Sequence, residues 1–153
     1  MNIDELTKKD LFLIELNKEI SLKKIKVEDT NITVLYEELF IGYSMNDDIE
    51  SLKRAIFIQW YSVTEPIQYT GIGDLDIEFQ KKNLYKVKEL IVNKSIDVEF
   101  IEMLNHYYNI SDWYFNAFLN FESLIPNDHY KTNIKAVQNR GLMGTYWDSI
   151  LNK

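Results

Sequence analysis

Only five glycines and two prolines interrupt the 153 residues, and all but Gly42 fall in three places: Pro66 to Gly73, Pro126, and Gly141 to Gly144. Gly and Pro are the strongest local breakers of regular structure. Between those points the apolar residues recur at steps of three and four, which is the period of a helix face. The two features together predict an all-α bundle of about six to seven helices. The length suits one domain over residues 1–153, within the roughly 100–200 residues usual for one.

The clearest stripe is Ile49, Leu52, Ile56, Trp60 and Val63, predicting a helix over residues 48–64 that Pro66 stops. Asp47 with Glu50 imitates a capping box at its start. Phe57 and Tyr61 lie on a flanking face, so more than one side of this helix is expected to be covered. Ile77, Leu84, Val87 and Ile91 predict a second helix over residues 75–93, with Asp74 and Asp76 at the dipole's positive end. Ser95 is the expected cap of a third, carrying Phe100, Ile101, Leu104 and Tyr108. A fourth is expected over residues 112–124; it is apolar on most sides, as a central helix is. Pro126-Asn127-Asp128 reads as a turn, and a fifth helix is expected over residues 129–139. Gly141 suits the left-handed position just past that helix. Met143, Tyr146, Trp147, Ile150 and Leu151 are spaced for a C-terminal helix.

The first 45 residues carry a weaker pattern. Ile32, Leu35, Leu39, Phe40 and Tyr43 suit a helix, and Ile3, Leu6, Leu13 and Ile20 suit another with gaps. Against this, Lys24 to Glu28 alternates as a strand does, and Phe12-Leu13-Ile14 is compatible with one. An α+β fold with a small N-terminal β-hairpin is therefore the alternative.

Composition removes several functions. With no cysteine there is no disulfide framework, thiolate metal site or Cys nucleophile, and a reducing, cytoplasmic location fits. Seventeen basic against 24 acidic residues give a net charge of −7, which argues against nucleic-acid binding. No apolar run approaches the ~20 residues a membrane helix needs, and the N-terminus lacks the basic start of a signal peptide. Walker, dinucleotide-binding and nucleophile-elbow motifs are absent, and nothing calls for a cofactor.

The polar candidates are few. Glu102 and His106 stand four apart on one helix face, a spacing shared by metal ligands and by ordinary surface pairs. Glu65, Asp74 and Asp76 bracket the connection that holds Gly71 and Gly73, a carboxylate set that suits a divalent cation or helix capping. Arg54 and Arg140 are the two arginines of a chain whose other cations are lysines. Arg54 lies opposite the main stripe and reads as an exposed salt-bridging residue. Arg140 reads either as a surface recognition residue or as a cap for preceding carbonyls.

Ten Tyr, eight Phe and three Trp make up 14% of the chain. Tyr107, Tyr108, Trp113 and Tyr114 gather around a helix break, and Tyr146 with Trp147 marks the tail. Tyr, Trp and Arg are the residue types enriched at interface centres. These six rings and Arg140 are the candidate binding residues. The favoured reading is a non-catalytic interaction domain that neutralises a basic protein, as immunity proteins and antitoxins do. A small enzyme using the carboxylates of residues 65–76 and His106 is the second reading. A homo-oligomer joined through residues 142–151 is the third.

Overall fold

The computed structural model describes residues 1–121 and 134–152. Within them the chain forms α1 (Ile3–Ser21), a 3-10 turn (Val27–Asp29), α2 (Ile32–Met45), α3 (Ile49–Thr64), the single turn α4 (Ile67–Thr70), α5 (Ile77–Val92), α6 (Val98–Asn116) and α7 (Gly141–Leu151). The fold is all-α, with no strand among the described residues.

The N-terminal hairpin does not form. Lys24 to Glu28 runs through a connection into the 3-10 turn, and Phe12 to Ile14 lie inside α1. The gaps in the α1 stripe have a physical explanation. Leu6, Asp10, Leu13 and Ile20 are the buried positions of α1, so a buried carboxylate fills the place where an apolar residue is missing. The side chain of Asn2 accepts a hydrogen bond from the Glu5 amide at 3.0 Å and caps this helix.

Central position belongs to α3, which packs against α2, α5, α6 and α7. Every residue from Ser51 to Trp60 is buried. Phe57 anticipates this covering on several sides. The expected central helix at residues 112–124 is shorter than its apolar run suggests. It joins the third as α6, kinks at Ser111 (φ −139°, ψ 53°) and stops at Asn116. Residues 122–124 lie outside the described residues, as do Pro126 and the turn around it. The real caps also differ by a residue or two from those expected. Asp48 rather than Asp47 caps α3, accepting from the Ser51 amide at 2.8 Å. Asp97 rather than Ser95 caps α6, accepting from the Phe100 amide at 2.7 Å.

The expected fifth helix is corrected where it can be seen. Residues 134–140 are not helical, and residues 129–133 lie outside the described residues. This segment is docked through polar contacts instead: Lys135 donates its amide to Glu99, and Arg140 reaches Glu50 and Glu99. Gly141 does adopt a left-handed φ of +66°, but as the first residue of α7. A Cβ there would lie 1.9 Å from an Asp10 carboxylate oxygen.

The core is rich in rings. Trp60 stacks on Tyr107 with centroids 4.4 Å apart, and the Trp147 indole donates to the Tyr107 hydroxyl at 2.9 Å. Leu142, Met143 and Trp147 are buried, with α7 packed against α1 and α3. The face of α7 that carries Leu142, Met143 and Trp147 is thus used within the chain.

Candidate functional site

Both arginines enter one buried charge network. Arg140 grips two carboxylates in fork geometry: Nε and Nη2 donate to Glu50 at 2.9 and 2.7 Å, and Nη1 and Nη2 donate to Glu99 at 3.1 and 2.6 Å. Lys53 adds a donor to Glu99 at 2.8 Å and pairs with Asp97 at 3.0 Å. Arg54 donates to Glu50 at 3.0 Å, to the Thr7 hydroxyl at 2.7 Å and to the Asn139 carbonyl at 3.2 Å. It also reaches Tyr43, whose hydroxyl donates to Asp10 at 2.8 Å. Asp10 in turn accepts the Leu142 amide at 2.9 Å, capping α7 from another helix.

The planar guanidinium of Arg140 meets both oxygens of each carboxylate in a fixed fork, a geometry that the point charge of a lysine does not reproduce. Arg54 is therefore a buried residue with four partners, which corrects its expected place on the surface. Arg140 is neither a free recognition residue nor a carbonyl cap; its side chain is 11% exposed and paired internally.

Charge inside the network is tuned by its neighbours. Burial would raise the Glu99 carboxyl, but Arg140, Lys53 and the Lys135 amide hold it down to about 2. Asp10 goes the other way. Burial lifts it to about 6, against the opposing hydrogen bonds of Tyr43 and Leu142 and the charge of Arg54.

The six candidate rings divide between core and surface. Tyr107, Tyr114 and Trp147 are buried, so they are packing residues and not a docking face. Tyr114 is further engaged with Gln59 and Gln80. Tyr108 is half-buried and accepts from Asn116 at 3.1 Å. Trp113 is the exposed member at 59%, next to exposed Asp112 and to Ile110 at 53%. Tyr146 is half-buried, with its hydroxyl 2.6 Å from His106 Nε2.

The carboxylates of residues 65–76 separate. Asp76 caps α5, accepting the Phe79 amide at 3.0 Å, and Asp74 is exposed. Glu65 instead lies at the end of α3, one turn beyond Tyr61; burial chiefly, and the Glu65 charge after it, push the Tyr61 and Tyr146 hydroxyls up. Glu65 and His106 thus flank the Tyr61–Tyr146 ring pair from its two ends, while Asp74 and Asp76 belong to the start of α5. Glu102 is buried on α6. Among the described residues no group of three or more His, Cys, Asp or Glu is placed to hold a metal. No helix of the described residues is long and apolar enough to cross a membrane.

Sequence reasoning missed Tyr61 as a half-exposed residue, and it missed buried Lys53 and Glu99 with half-buried Glu50 as one set. The signal for the second was present: Glu50, Lys53 and Arg54 are charges on a helix whose flanking face also carries large rings.

No family model matches the chain, and no solved structure matches it. A stretch of 94 residues, 61% of the chain, is 30% identical to part of the ubiquitinating enzyme SidE of Legionella pneumophila. That stretch spans 6% of SidE, too little to carry the enzyme's activity across.

Proposed function

We propose that this chain is a non-catalytic interaction domain that neutralises a basic protein partner, as immunity proteins and antitoxins do. The observation that carries this reading is Trp113, a tryptophan 59% exposed beside exposed Asp112 and Ile110. An indole is costly to leave in water and is the residue type most enriched at binding hot spots. The net charge of −7 supplies steering toward a basic surface. The buried network supports the same reading from the other side. Lys53, Arg54 and Arg140 are taken up by internal carboxylates, so these cations are withdrawn from the surface.

Affinity purification from the native host with mass spectrometry tests the proposal. The expected result is one basic protein enriched by the wild-type chain and lost on Trp113→Ala. Recovery of no basic partner, or equal recovery by the variant, would overturn it.

A further inference from the structure

Helices α3, α6 and α7 meet at a second surface. Tyr61, His106 and Tyr146 are each half-buried there, over the buried rings of Phe57 and Trp60. Tyr61 and Tyr146 stand edge to face with centroids 5.8 Å apart, and Phe57 stacks under Tyr61 at 5.0 Å. Trp60 meets Tyr146 at 5.5 Å. The rings are locked by one another and by the hydrogen bond between His106 and Tyr146.

Beside them is Glu65. It is exposed, and among the described residues it forms no ion pair, unlike Glu50 and Glu99. It ends α3 one turn beyond Tyr61, its amide donating to the Tyr61 carbonyl at 3.1 Å, and Tyr61 in turn meets Tyr146. Nor does any described lysine or arginine cover the Tyr61 or Tyr146 ring; the three cation–ring contacts of the described residues lie at Phe100, Tyr43 and Phe79. An open carboxylate next to half-exposed electron-rich rings complements one kind of group, an organic cation with an apolar or planar body.

We infer that Glu65, Tyr61 and Tyr146 form an acidic aromatic notch that receives an arginine side chain of a basic protein partner. Glu65 takes the guanidinium's charge, and the tyrosine rings take its flat face. The inference rests on the proposed neutralising function and adds a second anchor to Trp113. The notch is pre-organised, since its rings already pack on the core, so little side-chain order is lost on binding.

Titration of the full chain with a nonaarginine peptide at low salt, followed by backbone amide NMR, tests it. The expected result is that the amides of Glu65, His106 and Tyr146 shift most. Glu65→Gln and Tyr61→Leu should each weaken binding at least about threefold, the scale of one exposed cation–ring or ion-pair contact. Glu28→Gln, which removes an equal charge from the exposed 3-10 turn, should weaken it less. Glu65 is exposed, so Glu65→Gln reports on binding even if Tyr61→Leu disturbs the fold. If the peptide binds but Glu65→Gln matches Glu28→Gln, the notch is overturned and the basic-partner reading stands. If the wild-type chain does not bind the peptide, both are overturned.

Discussion

Two acidic–aromatic regions of this molecule use the same residue types to opposite ends. In the network joining α1, α2, α3, α6 and residues 135–142, each carboxylate meets cations or amide donors, and Arg140 and Lys53 each span two of them. At the end of α3, Glu65 lies one turn beyond Tyr61, and among the described residues it forms no ion pair. The first arrangement is closed and holds the C-terminal segment onto the bundle. The second is open and suits a ligand that brings the missing charge. Pairing, more than residue type, separates a charge that builds the fold from one that is left for a partner.

The largest expected effect breaks the closed side. Arg140→Met takes from Glu50 and Glu99 their shared guanidinium, leaving each with one cation, Arg54 and Lys53, and should destabilise the fold by about 3–4 kcal/mol. Urea unfolding measures it directly. A loss below about 1 kcal/mol would mean that the network is not what anchors residues 135–142.

The pH dependence comes next. Asp10 has a folded pKa of about 6 against 3.8 for the free group, so the folded state binds the proton more tightly. Its contribution is fully present below pH 3.8 and is lost as pH rises through 6, to the extent of about 3 kcal/mol. Glu99 has the opposite sign. Its contribution is present above pH 4.5 and is lost as pH falls toward 2. Melting temperatures recorded from pH 3 to 8 should therefore decline between pH 4 and 6, and Asp10→Asn should flatten that decline.

A smaller loss is expected for Gly141→Ala. It forces a side chain into a left-handed backbone (φ +66°) and against the Asp10 carboxylate, at a cost of about 2 kcal/mol or more. Thermal melts at pH 7 would show it. The open side should be nearly silent in the same assay. Glu65→Gln, at an exposed position, should change stability by no more than about 0.5 kcal/mol.

Much of the fold was legible because the apolar stripes of α2, α3, α5 and α7 carry their period openly. The weak pattern of α1 hid a regular helix because Asp10, a buried carboxylate, stands where a hydrophobic residue would have kept the rhythm. Residues 134–139 were misread for the reverse reason. Ile134 and Val137 have helical spacing and pack on the core, but the segment is held by its contacts to Glu99 and Arg54 rather than by a helix ladder. The site was less legible. Composition cannot tell a buried ring from an exposed one, so Tyr107, Tyr114 and Trp147 were grouped with Trp113. The scarcity of arginine did mark two important residues, although their importance lies in the interior.

The most direct test of the account pairs binding with stability in one variant. Trp113→Ala should weaken the purified basic partner's binding at least about 30-fold, the loss of one hot-spot residue, while its melting temperature stays close to wild type. An unchanged dissociation constant with an unchanged melting temperature would contradict the account.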